Sequence, residues 1–260
     1  CGRRPIDDSY LDQPAGSGGV EVKFVDACVS SPDGHPLGIA LASMRRAGME
    51  PDPAMARRAF SPIGSVDELM ELIESWDDDR PEFVKIILMH TDRYEELQND
   101  PKTYGFRGLN PDLARTLVQA APERGIRVAA HVESAADFAL AVDIGADIIA
   151  HLPGYRLDAP LENYLITEDE AERAAENGVA LMTTTVAAQL VAGENGPSDD
   201  LKSMQARNLA TLLDAGVRLV IGSDHAFGSV VDELIYLNDL EVMGRGTLLQ
   251  IATAQTAAVM

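Results

Sequence analysis

Four times along this chain a helix-like stretch closes on a glycine and a short apolar run follows at once, after Gly125, Gly145, Gly178 and Gly216. Glycine ends a helix in the left-handed region because it carries no Cβ to clash there. The runs that follow are IRVAAH (126–131), ADIIAH (146–151), VALMTTT (179–185) and VRLVIGSDH (217–225). They are strand-length and largely apolar, as buried parallel strands are. Short helix-to-strand turns and right-handed crossovers force such strands into a parallel sheet. The expected fold class is therefore α/β, a (β/α)8 TIM-type barrel. Strands are expected at 20–27, 83–88, 126–131, 146–150, 179–184 and 217–222. That is six where a closed barrel needs about eight, so the barrel reads as incomplete.

Other signals place the helices between these strands. Ser65 to Trp76 has apolar residues at helical spacing, and Asn110 followed by Pro111 is an N-cap with a first-turn proline. Ser134 with Asp137, and Thr167 with Glu170, are capping-box pairs. Further helices are expected at 38–47, from Ser198 to Gly216, and near 229–243 and 247–258. Residues 1–19 are polar and rich in Gly and Pro and read as a tail or linker. Residues 20–260 read as one partial barrel domain, a size that such barrels reach undivided.

Composition narrows the partners. The formal net charge is −21, which argues against nucleic acid or an anionic membrane, because phosphate binding needs clustered Lys and Arg. No run approaches the ~20 apolar residues that span a bilayer. Small molecules or short peptides are the expected partners. Two cysteines make no disulfide framework. Cys28 reads as a core residue. Cys1 is open to two readings: an acylated, periplasmic or lipid-anchored lipoprotein whose signal peptide was removed, or a sequence that simply begins there, with a cytoplasmic protein as the alternative.

The chemistry-bearing residues fall at strand ends. His131 lies six residues after Gly125, and His151 six after Gly145. Equal phase on successive parallel strands puts both imidazoles at one end of the sheet, the end that carries the chemistry in an α/β barrel. Asp224, in GSDH after a third strand, adds a carboxylate. Two neutral imidazoles and a carboxylate suit zinc or a similar divalent metal. Lys85 interrupts the apolar run FVKIILM. Burying a lone ammonium is costly, so its amine either reaches the barrel mouth, pairs with a carboxylate, or is neutralised or modified at the site. His35, His90 and His225 also follow strand-like runs, and Tyr155 follows His151 closely. His35, Tyr155 and His225 are candidate substrate contacts. Thr183–Thr185 hold the corresponding phase on the strand after Gly178 and read as polar lining.

Taken in order, DGHP (33–36), FVKIIL, HVES (131–134), AHLPG (150–154) and AGVRLVIGSDHAFG (215–228) resemble the amidohydrolase superfamily, in particular its imidazolonepropionase-like and prolidase-like members. The likeness covers about residues 20–258. It implies a barrel holding one or two zinc-like ions, with Lys85 as a carboxylated bridging ligand and His131 and His151 as ligands. Asp224 would be both ligand and general base. The implied activity is hydrolysis of an amide, a peptide bond of a dipeptide, or a cyclic amide by metal-activated water.

The chain departs from that pattern at its start. It holds no His-x-His pair, which the family carries on its first strand, and two strands and a small flanking β-domain are also not evident. The expectation is that the chain is part of a longer polypeptide or pairs with another subunit as a homo-oligomer. Two rival functions remain at this point. One is a non-catalytic, degenerate barrel acting as a binding protein. The other is a lyase or aldolase that uses Lys85 as a Schiff-base amine.

Overall fold

The structure is a computed structural model that describes residues 25, 27–78, 80–193, 196–224 and 229–260. The chain divides into two compact units, Cys1–Ala129 and Ala130–Met260.

In the first unit the strands are β1 (Val29–Ser30), β2 (Ser61–Pro62) and β3 (Phe83–Ile87). β1 lies between the other two and pairs in parallel with both, Val29 opposite Ser61 on one side and Ile86 on the other. Val25 makes one further parallel bridge to Phe83. The helices are α1 (Leu37–Arg46), α2 (Pro53–Ala56), α3 (Val66–Ser75), α4 (Tyr94–Leu97) and α5 (Pro111–Ala120). α3 starts in a capping box between Ser65 and Glu68. Asn110 caps α5 by accepting from the N–H groups of Asp112 and Leu113. α3 and α5 pack together, and each buries its apolar residues, Leu69 and Ile73 on one and Leu113, Leu117 and Val118 on the other. Cys28, Leu37, Leu41, Phe60, Ile87 and Met89 form a second buried cluster.

β4 (Arg127–His131) carries the chain from the first unit into the second. The second unit continues with β5 (Ile148–Ala150), β6 (Ala180–Met182) and β7 (Arg218–Val220). β5 and β7 flank β6 in parallel, with Ala150, Met182 and Val220 at one level. Val132 N–H donates to Ala150 O at 3.4 Å, so the end of β4 runs beside the end of β5. The helices are α6 (Ala135–Ile144), α7 (Glu168–Glu176), α8 (Ala187–Ala192), α9 (Asp199–Asp214), α10 (Val230–Asp239), α11 (Arg245–Gln250) and α12 (Thr256–Val259), the last two joined by a π-helical turn. Both expected capping boxes are present, Ser134 with Asp137 and Thr167 with Glu170. Gly125, Gly145, Gly178 and Gly216 all take positive φ. No helix among the described residues is long and apolar enough to cross a membrane.

One expectation needs correction, and one falls mostly outside the described residues. Among the described residues seven strands are defined where six were expected. The additional one, Ser61–Pro62, is two residues long, too short for a period-2 or apolar-run signal. The first expected strand, 20–27, falls mostly outside the described residues, as does the 1–19 tail. The defined strand there lies later, at Val29–Ser30, preceded by the single bridge at Val25. In both units every recorded strand pairing is parallel, as expected.

Candidate metal centre

Each strand of the second unit ends and its chain turns outward at the same level, because the register aligns Ala150, Met182 and Val220. The next residues hold one another there. His151 N–H donates to Met182 O at 3.1 Å, and Thr183 N–H donates to Val220 O at 2.9 Å. His131 closes β4 at this same end.

The two imidazoles meet. The His131 and His151 ring centroids are 4.6 Å apart at an interplanar angle of 74°, and both residues are about 95% buried, with 4% and 5% of their surface exposed. His151 Nδ1 lies 2.8 Å from Thr184 Oγ1 and 3.9 Å from Asp224 Oδ2. Asp224 itself is the open side of the group, its side chain 57% exposed. A metal held by His151 would therefore take Nε2, leaving Nδ1 to Thr184.

A carboxylate lines the other flank. His131 Nε2 lies 3.5 Å from Glu133 Oε1. Tyr155 donates its hydroxyl to the same oxygen, and Arg156 stands 3.6 Å from Glu133 Oε2. Burial pushes the Glu133 carboxyl up, but the contacts from His131, Tyr155 and Arg156 outweigh it and hold it at about 2. The Tyr155 hydroxyl is pushed up, by burial first and then by the neighbouring Glu133 charge. Tyr155 is thus half-buried and engaged, not a plain surface residue.

Backbone strain marks the same places. Among the described residues, five non-glycine residues have positive φ. Four of them follow strand ends: His90 after β3 (56°), His151 after β5 (86°), Thr184 after β6 (48°) and Asp224 after β7 (48°). For a β-branched residue such as Thr184 this is a true outlier. Such strain costs about 1–3 kcal/mol per residue and gathers where function needs a fixed geometry.

The first unit contributes separately. Lys85 is the one half-buried residue of β3, whose other four are buried. His35 lies in the turn between β1 and α1, its N–H donating to Arg107 O at 2.8 Å. Arg107 is nearly buried. It pairs with Asp33 and donates to Thr103 Oγ1 at 2.8 Å, which ties that turn to the segment after β3. His225 lies outside the described residues.

The donor types in the second unit, two buried imidazoles and a carboxylate, fit a divalent ion of zinc type. Among the described residues no three His, Cys, Asp or Glu groups are already gathered as a complete ligand set. The equal phase of His131 and His151 after their glycines matches their contact in the structure, and Asp224, expected after a third strand, lies 3.9 Å from His151 Nδ1. Sequence reasoning left the Thr183–Thr185 run without a role, whereas Thr184 turns out to hold His151. It also gave no role to Glu133, although HVES puts it two residues beyond His131.

No protein-family model matches the chain, and no curated protein matches it. Solved structures do. One is an amidohydrolase, 22% identical with a TM-score of 0.66, matched over 96% of this chain and 60% of that one. Another is a Xaa-Pro dipeptidase with methionine bound in its active site, 16% identical with a TM-score of 0.63, over 96% and 60% of the two chains. A third is the ochratoxinase of A. niger, 18% identical with a TM-score of 0.65, over 93% and 55%. The chain thus spans about 60% of the length of the first two. The likeness establishes a shared fold: the parallel α/β architecture of amidohydrolase-superfamily structures, the group that the sequence motifs resemble.

Proposed function

We propose that this chain is a metal-dependent hydrolase of C–N bonds, acting on an amide, a short peptide such as a dipeptide, or a cyclic amide. One observation carries the reading: two buried imidazoles in contact at strand ends, where His151, Thr184 and Asp224 all adopt strained backbone. The fold shared with an amidohydrolase and a Xaa-Pro dipeptidase supports it.

In this reading His131, His151 and Asp224 hold one or two divalent ions, zinc or a similar metal. Such an ion, when bound, polarises a carbonyl and lowers the pKa of water towards 7. The chain's own groups do the rest. Asp224, exposed beside His151, accepts the proton of the attacking water at its carboxylate and delivers it to the leaving nitrogen. Thr184 fixes the His151 ring through Nδ1. Lys85, on β3 of the first unit, enters as a carboxylated bridging ligand only through the sequence resemblance. His35, Tyr155 and His225 are proposed as substrate contacts. For Tyr155 the proposal rests on its place after His151, since its hydroxyl is engaged by Glu133 and the Arg156 guanidinium stands 5.8 Å from its ring centroid.

The test is a substrate panel of Xaa-Pro and other dipeptides, N-acyl amino acids and cyclic amides, assayed with the chelated and the zinc-reloaded chain. The expected result is zinc-dependent turnover of at least one class. No turnover by zinc-loaded protein across the panel would overturn the reading in favour of a binding protein.

A further inference from the structure

α10 carries two buried polar side chains one turn apart, Glu233 and Tyr236. An amphipathic surface helix normally buries its apolar side and exposes its charges. Here Glu233 has no exposed surface, while Val231 and Ile235 on the same helix are more than half exposed. A buried carboxylate at that position is costly unless its oxygens are satisfied, and they are. Glu233 Oε1 accepts from Thr185 N–H at 2.8 Å and from Thr185 Oγ1 at 2.7 Å. Oε2 accepts from Val186 N–H at 2.6 Å. These are the residues directly after Thr184, whose hydroxyl meets His151 Nδ1.

Tyr236 reaches the neighbouring loop by a second route. Its hydroxyl donates to Gln205 Oε1 at 2.8 Å, and Gln205 Nε2 donates to Gly154 O at 3.3 Å. Gly154 lies three residues after His151, and its own N–H donates to Glu133 O at 3.1 Å. One turn of α10 therefore grips both loops that frame His151, the one it sits on and the one that caps it.

We propose that Glu233 and Tyr236 are positioning residues for His151. Glu233 holds the loop after β6 so that Thr184 accepts from His151 Nδ1–H, which directs the Nε2 lone pair at a metal. Outer groups that fix a ligating imidazole in this way govern metal affinity by about 10- to 100-fold. The metal part of the proposal rests on the functional reading above; the tautomer part does not.

The experiment has two readouts on the 260-residue chain: the imidazole 15N pattern of His151 in metal-free protein, and zinc affinity by competition with a chromophoric chelator. The wild type should show His151 as the Nδ1–H tautomer. Glu233→Gln places an NH2 group among three donors. It should give an averaged tautomer pattern and raise the zinc Kd about 10- to 100-fold. Thr184→Val should do the same, Thr184→Ser should retain the wild-type behaviour, and Tyr236→Phe should show a smaller loss in the same direction. If Glu233→Gln does not fold, Thr184→Val and Tyr236→Phe carry the test. A Glu233→Gln protein that melts earlier yet keeps the wild-type His151 pattern and zinc Kd would overturn the proposal, because Glu233 would then be a purely structural residue. A wild type that binds no zinc would overturn the functional reading, while the His151 pattern would still decide for or against Glu233.

Discussion

Asp224 holds a left-handed backbone at φ 48° with its carboxylate open to solvent. Asn tolerates that conformation nearly as well as Asp. Asp224→Asn therefore isolates the chemistry from the fold: the amide neither accepts a proton nor ligates a metal as a carboxylate does. We expect the variant to keep its circular-dichroism spectrum and melting temperature while losing about 10²- to 10⁴-fold in turnover. Turnover at the wild-type rate would remove Asp224 from its assigned role. Cys28 tests the core at the same scale. Burial pushes its thiol up to about 11, so at pH 8 only about a thousandth is thiolate, the reactive form. In a Cys1→Ser variant, a disulfide reagent such as DTNB should react with Cys28 only on unfolding. Rapid labelling of native protein would show that the cluster around Cys28 is open. That His131 and His151 lie together was legible in the sequence because strand phase is readable from glycine-terminated helices. Glu233 was not. In VVDELIYLND the hydrophobic pattern would bury the valines and isoleucine and expose the acid, and tertiary contacts reverse that choice.

Among the elements, the helix starts were the most legible part of the chain, because a capping box is a local chemical pattern. The side chains of Ser134 and Asp137 bond each other's backbone N–H groups whatever lies beyond them. Ser134→Ala should cost about 1 kcal/mol of unfolding free energy in a denaturant titration. An unchanged midpoint would mean that the end of β4, not the cap, fixes α6. The strands were legible in place but not in extent, since pairing ends where the backbone leaves the extended region, not where hydrophobicity ends. β6 stops at Met182 although the expected run continued to 184, because Thr184 has already turned to a left-handed conformation. α2 and α8 were not foreseen: four and six residues are too few for a helical period to be read. Close backbone approach was equally invisible. A Cβ at Gly108 would lie 2.4 Å from Met89 N, whereas one at Gly145 meets nothing within 4 Å. Gly145→Ala pays only for its positive φ, about 1–2 kcal/mol. Gly108→Ala must push backbone from backbone and should destabilise by more. The reverse order in thermal melts would show that the Gly108 contact yields easily.

For the whole molecule, composition argues against some partners more readily than it names one. A charge of −21 speaks against polyanions, and nothing in the totals points to a substrate. The expected association with further polypeptide or another subunit gives a testable surface. On α10 and α11, which pack together, Val231 (58%), Ile235 (56%) and Leu249 (62%) are exposed, and we expect any association to use this apolar surface. Light scattering should therefore give a mass above the 27.9 kDa of one chain, and Ile235→Lys should lower it. The central claim, that the paired imidazoles form a metal centre, is tested most directly by metal content. Protein dialysed against limiting zinc and then desalted should carry one or two ions per chain by elemental analysis. A His131→Ala/His151→Ala double variant of unchanged fold should carry none. Wild-type protein without bound metal, or the same stoichiometry in the double variant, would contradict the claim.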